Sequence, residues 1–547
     1  MDQRKYNIYF HTHTISGIII AVILYVIFFA GSFSFFKDDI SAWQKGKSTV
    51  AEEINPDYNY ILDSLSQKHN LLGRNFDFYL LRQGHGTYVN MSTSQDTTVS
   101  KPKPKEAGQR GGRGRGRDED SAYFTYFFAD KQTGSYADSY DMGEFLYRLH
   151  FLAQLNQVPI RLGTPFGYLL AGIVSFLFVF ALITGLLLHW DKIKSNFFLL
   201  RPWSKWKTVW TDMHTVLGVI GFPFQLLFAI TGVILIVNFV LISPFSKILY
   251  EGDQEQLYED LQYNRSMKVN YTYQPMEGSF DLNAFVGKWE QDWKESKISR
   301  IHIRNYQDAS MQISLEAKPL PKANFSGSGF VQMEVASGKV LQLKSPNGEG
   351  NYIDGVKSLI YHLHFGDFGG KPLRIIFFIL GLVGCVVIIS GIMIWLVARD
   401  KKNIPAYKRK FNFWASNVFL SICLAMLPVT AFTFIMLKVL PQINQSVIYS
   451  VYFYSWLILS VYFVVWRNLP MINRQTLLLS AILCLGVPLA NGIATGLWIW
   501  NTLQAGALDI FFIDALFLVI AVACAFAFIK VRQQAKPFTI LKVQDSN

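Results

Sequence analysis

The sequence predicts a polytopic α-helical membrane protein, with about eight spanning helices and two small α+β domains carried between them. Three observations lead there. Of the 547 residues 51% are hydrophobic and only 16% charged, and the apolar residues come in blocks. Two long polar inserts separate the first blocks. Basic residues gather in alternate short connections.

An apolar run of about 20 residues crosses the roughly 30 Å hydrocarbon core of a bilayer. Eight segments qualify, at about 15–36, 167–188, 215–242, 374–398, 412–437, 447–466, 475–500 and 508–529, with no cleaved signal peptide expected. Lys and Arg in short loops set orientation. They collect at Arg4 and Lys5, at 192–207, at 399–410, and at Arg467, Arg474, Lys530, Arg532 and Lys536, whereas loop 501–507 carries no charge. Both termini, including the tail 530–547, are therefore expected in the cytoplasm, and inserts 37–166 and 243–373 outside. The net charge of +12 is mostly this asymmetry, so nucleic acid is not an expected partner. The same basic loops would also suit an acidic electron donor.

Segments 1–36, 167–242 and 374–398 with their two inserts read as a repeat of helix, outer domain, helix. In the first insert, 122–130 reads as a strand, 132–134 as a turn and 135–137 as a second strand. In the second, Gly329 to Val335 meets a turn at Ser337 and Gly338 and continues from Lys339 to Leu343. A Leu-His pair closes each insert, at Leu149-His150 and Leu363-His364. The Arg/Gly tract at 105–118 is too poor in apolar residues to pack and reads as a disordered loop. The bundle 412–529 has short connections and no His, and reads as a scaffold or oligomerisation element, with a lipid or quinone pocket as the other use. Cys385, Cys423, Cys484 and Cys524 all fall inside apolar segments and look like small packing residues. No thiol is left for a metal site or disulfide in the outer domains.

The histidines carry the chemistry. His13 is followed four places on by Gly17 and eighteen on by Gly31; His214 is followed at the same intervals by Gly218 and Gly232. Eighteen residues make about five helical turns, roughly 27 Å, so each helix carries a His at one membrane surface and glycine notches along the same stripe. His11, His13, His189 and His214 cluster at the expected inner surface, and His150, His362 and His364 at the outer one. Ionisable groups at membrane depth are costly and usually face the bundle interior, although a single His at a helix end can simply sit among headgroups. Neutral imidazole is a good ligand for haem iron, and two from neighbouring helices make a six-coordinate b-type haem suited to passing one electron. The repeat pairs His13 with His214 and His150 with His364, with His189 competing on the inner side. Gly17 and Gly218 would clear the inner macrocycle, Gly31 and Gly232 the outer one. Glycine also promotes plain helix packing, the reading given to Gly172, Gly381 and Gly391. Residues two apart face different sides of a helix, which separates His11 from His13 and His362 from His364.

The His-x-x-x-Gly openings, the Thr-Gly pairs at 184–185 and 231–232, and the Leu-His-Phe-Gly-Asp-Phe-Gly-Gly run at 363–370 resemble PepSY-associated transmembrane proteins over roughly residues 8–400. Within them the chain is most similar to iron-regulated inner-membrane ferrisiderophore reductases. Ala30 stands where the first Thr-Gly pair has Thr. The resemblance implies two PepSY-like periplasmic domains and two bis-His haems b on His13, His214, His150 and His364. It also implies electrons passed outward from a cytoplasmic or quinol donor to the Fe(III) of a ferric siderophore. The location implied is the inner membrane of a Gram-negative envelope. Siderophore oxygens hold Fe(III) far better than the softer Fe(II), so reduction releases the metal. Tyr361, His362 and Asp367 are the expected substrate contacts. The alternatives are a siderophore or iron transporter, hinted at by Pro223, a quinol-oxidising relay, and a regulatory PepSY protein without haem.

Overall fold

The computed structural model describes residues 2–50, 56–81, 86–99, 121–128, 131–137, 139–158, 160, 165–193, 199–201, 204–253, 256–257, 260, 269–320, 327–348, 352–401 and 403–533. The Arg/Gly tract at 105–118 and the tail from 534 lie outside them. In chain order the helices begin with α1 (Gln3–Ser34), α2 (Lys37–Lys45), α3 (Tyr58–Ser66), α4 (Met142–His150), α5 (Phe166–Leu188), α6 (Trp206–Leu249) and α7 (Leu282–Asp292). They continue with α8 (Tyr352–Phe365), α9 (Gly370–Arg399), α10 (Ala406–Val439), α11 (Gln445–Trp466), α12 (Leu469–Thr495), α13 (Ile499–Gln504) and α14 (Leu508–Gln533). Among the described residues eight of these are long and apolar enough to cross a membrane: α1, α5, α6, α9, α10, α11, α12 and α14. The protein is a multi-pass membrane protein.

The chain divides into two compact units: Met1–Ala51 with Tyr140–Val240 and Lys371–Asn547, and Glu52–Ser139 with Leu241–Gly370. The first is the helical bundle. α1 starts twelve residues before the apolar segment read from sequence, because the polar stretch from Gln3 continues the helix and puts His11 and His13 inside it. α6 runs unbroken through Pro223. α12 stops at Thr495 instead of 500, since Gly496 takes φ 72° and returns its N–H to the Gly492 carbonyl at 3.0 Å. A left-handed residue at that position ends a helix, and glycine adopts it without a Cβ clash. The four cysteines are free and buried.

The second unit is one antiparallel sheet of eight strands in the order β4-β3-β2-β1-β5-β6-β7-β8. The first insert supplies β1 (Phe76–Leu80), β2 (Gly86–Met91), β3 (Ala122–Phe127) and β4 (Gln132–Gly134). The second supplies β5 (Ser296–Arg304), β6 (Gln312–Pro319), β7 (Gly329–Glu334) and β8 (Val340–Lys344). Each insert forms an α+β half, and the halves join edge to edge through β1 and β5, with Phe78 opposite Ile301. Phe76, Phe78, Ile301, Ile303 and Leu315 alternate onto one face and bury completely against α3 and α7. The β7–β8 hairpin turns at Gly338, as its sequence suggests. In the first insert Gln132–Gly134, expected as a turn, is itself strand, pairing with Thr125–Phe127, with Lys131 before it at φ 49°, whereas 135–137, expected as strand, is not. The turn-forming residue types there were a weaker guide than the ladder.

A reciprocal cap relates the halves. Asp57 and Asp281 each accept from the third residue of their helix, at 3.1 and 3.0 Å. Two residues beyond each stands an asparagine: Asn59 Nδ2 donates to Asp281 at 2.7 Å, and Asn283 Nδ2 donates to Asp57 at 2.8 Å. Removing an N-cap acceptor costs about 1 kcal/mol. Asp57→Ala and Asp281→Ala are each expected to cost that much, and the double variant less than the sum because the sites share partners. Urea unfolding followed by the fluorescence of Trp289 and Trp293 measures it.

The opposite face of the sheet is polar. His302 Nδ1 donates to Asp77 at 2.7 Å, Arg304 reaches the same oxygen at 2.7 Å, and His302 Nε2 lies 3.4 Å from Glu316. Burial disfavours the imidazolium, but the two carboxylates outweigh it and hold His302 above its ordinary 6.5. Burial likewise opposes ionisation of Asp77 and Glu316, yet their cationic partners hold them below 3.8 and 4.5. The His302 contribution is full below pH 6.5 and is lost as pH rises through the folded value; the carboxylate contributions are lost as pH falls through theirs. Stability from this cluster should therefore peak between pH 4.5 and 6.5. His302→Gln is expected to flatten the decline above pH 6.5 in chemical denaturation of the full chain.

Candidate functional site

His13 of α1 and His214 of α6 face one another inside the bundle, ring centroids 6.0 Å apart and planes at 63°. Each ring is held the same way. His13 Nδ1 lies 2.8 Å from the Ala181 carbonyl of α5, and His214 Nδ1 lies 2.9 Å from the Val387 carbonyl of α9. A carbonyl only accepts, so each Nδ1 carries the proton and each Nε2 keeps a free lone pair. One turn beyond each carbonyl stands a glycine that makes room for the ring. A Cβ on Gly185 would come 2.9 Å from His13 Cε1, and one on Gly391 3.1 Å from His214 Cε1. Thr184 and Ser390, next to those glycines, bond back to carbonyls of their own helices.

His150, at the end of α4, repeats the arrangement on α1. Its Nδ1 lies 2.8 Å from the Ile27 carbonyl, and a Cβ on Gly31, one turn later, would collide with the ring. The fourteen residues from His13 to Ile27 correspond to about 21 Å along α1, so the two imidazole levels stand at opposite ends of the membrane span. Burial pushes the His150 imidazole below its ordinary 6.5, which favours the neutral, ligating form.

A cavity of about 380 Å³ opens beside the His13–His214 pair. Gly17 and Gly218 line it, and no neighbouring atom would lie within 4 Å of a Cβ on either. Gln225, only 2% exposed, lines it too, and its Nε2 has no hydrogen-bond partner among the described residues. His189, at the end of α5, is a third imidazole on the wall. Of the two glycines expected to clear a second macrocycle, Gly31 seats His150 instead, whereas a Cβ on Gly232 would make only ordinary contact with Ser175 Oγ at 3.5 Å. His11 is exposed, with its ring edge against Phe10.

The residues fit a flat macrocycle held by imidazole. Two neutral imidazoles with centroids 6.0 Å apart and glycine on the adjoining cavity wall are the residues that would hold such a group. Among the described residues no group of three His, Cys, Asp or Glu side chains could hold a metal ion.

The remaining expected residues belong to the sheet unit. At the end of α8 His362 Nδ1 donates to Asp367 Oδ1 at 2.6 Å, and Gly366, at φ 60°, turns the chain so that the carboxylate reaches back. Tyr361 is 43% exposed and stacks on Phe365 at 5.9 Å, with Lys318 Nζ 5.9 Å from its ring. His364 presents its ring edge to Phe365 at 5.7 Å.

No sequence pattern by itself points to the seats formed by Ile27, Ala181 and Val387, and Gly391, expected to serve plain packing, makes room for His214. A partial signal was present: a small residue precedes glycine at 30–31, 184–185, 231–232 and 390–391, although the same pattern also stands at 16–17 and 171–172.

Residues 10–398 match the model of the PepSY-associated TM region. The chain belongs to that family. No curated protein matches it. The match ends with α9, so the PepSY-associated region holds all three seated imidazoles, and α10 to α14 stand outside it.

Proposed function

We propose that this PepSY-associated protein is a haem b oxidoreductase that carries electrons across the membrane to the Fe(III) of a siderophore, reducing it to Fe(II). One observation carries the reading. Three imidazoles are pinned alike, each through Nδ1–H to a carbonyl one turn before a glycine, and two of them face each other at 6.0 Å beside a glycine-lined cavity.

In this reading His13 and His214 hold one haem. His150 would serve to hold a second. Iron held by two imidazoles exchanges one electron with no coordination position open to oxygen. The chain supplies the rest. The carbonyls of Ala181 and Val387 fix the ring tautomers and orientation. The bare faces of Gly17 and Gly218 admit a planar group. Among the sheet unit's side chains, Asp367 holds the His362 ring through Nδ1–H and Tyr361 offers a partly exposed ring, the expected contacts of the chelate. The donor is a cytoplasmic carrier or quinol, and the location the inner membrane with both termini cytoplasmic, as loop charge suggests. A transporter would use broken spans at midplane; α6 runs unbroken through Pro223, which favours the relay.

A reduced-minus-oxidised visible spectrum of the detergent-purified protein, expressed with ample haem, tests the proposal. A b-type α-band that a ferric siderophore reoxidises is the expected result. A flat difference spectrum would reject it.

A further inference from the structure

Among the described residues, none of the spans beyond the family region lines the cavity beside the paired imidazoles, yet they grip the short helix α2 through buried charges. Trp43 of α2 is fully buried, and its Nε1 donates to Asp514 of α14 at 2.7 Å. Asn491 of α12 donates to the other oxygen of Asp514 at 3.0 Å. Lys438 of α10 reaches the Trp43 carbonyl at 2.6 Å, with its ammonium 4.3 Å from the indole centroid. Ser48 and the backbone N–H of Thr49, just past α2, both donate to Asp509 at 2.7 Å. Asp509, Asp514 and Asn491 have no solvent exposure. Ionisable groups buried at membrane depth are costly and are usually tied to function. Here each of the two carboxylates has a partner on or just past α2: Trp43 for Asp514, and Ser48 and Thr49 for Asp509.

α2 in turn holds α4. Lys37 pairs with Glu144, Gln44 accepts the Met142 N–H at 2.8 Å, and Gly143 lets the α4 backbone approach the Lys37 carbonyl. Glu144 also binds Arg148 at 2.6 Å; burial opposes its ionisation, but the two cations bring it down to about 2. From the other side α11 packs Tyr452 on Phe145, centroids 4.7 Å apart, and brings the Tyr449 hydroxyl to 3.4 Å from that of Tyr140. The last residue of α4 is His150.

We infer that α10 to α14 form a brace that, through α2 and α4, sets the His150 imidazole against its seat on α1, with Asp514, Trp43 and Glu144 as positioning residues. The role given to His150 rests on the proposed haem function; the mechanical coupling does not.

Hydrogen–deuterium exchange of the full chain in detergent tests the brace without reference to haem. Asp514→Leu removes both acceptor oxygens, and Trp43→Phe removes the indole N–H and shrinks the ring while keeping a phenyl group beside Phe434. Both should speed amide exchange across 142–150 by about tenfold, as expected when one cooperative contact is lost. Asp514→Asn keeps an acceptor for Trp43 but turns an amide N–H towards the Asn491 donor, so it should speed exchange less than Asp514→Leu. In haem-loaded protein, Asp514→Leu should also alter the low-spin signal lost in His150→Ala and leave the one lost in His214→Ala. Wild-type exchange over 142–150 in both Asp514→Leu and Trp43→Phe would overturn the inference. So would acceleration spread equally over α1 and α5. If the wild-type protein carries no haem, the proposed function fails, and the exchange result still decides the brace.

Discussion

His214→Ala protein, purified with ample haem, is expected to carry about half the wild-type b-type absorbance, since one of two bis-imidazole sites loses an axial ligand. The loss should fall on one of two steps in a redox titration, and ferric siderophore reduction should drop to background. His13→Ala should give the same spectrum, and the double variant should lose no more haem than either single one. Residues that serve one iron act as a unit and do not add. Two controls sharpen the result. His11 is exposed and two places from His13, so His11→Ala should leave the spectrum unchanged. His189 lines the same cavity, and its replacement should spare the haem if His214 is the ligand. Haem lost on replacing His189 and retained on replacing His214 would reassign the pair.

The second large effect separates two uses of glycine. Gly31 seats a protein ring, and a methyl there collides with the His150 imidazole. Gly31→Ala is therefore expected to destabilise the bundle by about 1–3 kcal/mol, the usual cost of overpacking, whether or not haem is present. Gly17 is different, because a Cβ there meets no neighbouring atom within 4 Å. Gly17→Leu should leave the thermal stability of protein prepared without haem close to wild type, and should abolish haem uptake at the His13–His214 pair. Comparing unfolding temperatures with and without haem for the two variants measures both. Equal behaviour of the two glycines would show that the stripe has a single packing role.

Much of the architecture was open to a reader of the chain alone. Eight apolar blocks marked the eight spans, because the hydrocarbon core demands about twenty apolar residues whatever they pack against. The β7–β8 hairpin was legible from its alternation and the Ser337-Gly338 turn. Span ends were less so: polar residues before 15 continue α1, and Gly496 closes α12 early. β1, β2, β5 and β6 gave no short-range signal strong enough to read. Their pairing across more than two hundred residues, Asp77 with His302, joins the inserts into one sheet, and no local pattern encodes that register.

By itself the sequence determined that histidines stand at two depths of a membrane bundle, each repeat copy spaced from its glycines by whole helical turns. Helical periodicity is a property of the chain, so that much could be counted. Only the tertiary structure decided what the glycines are for. The stripe on α1 faces a cavity at Gly17 and a neighbour's imidazole at Gly31, and the seats for His13 and His214 lie on other helices, at Gly185 and Gly391. Which helix lies alongside which is set by packing between distant segments, and so is the use made of a missing side chain.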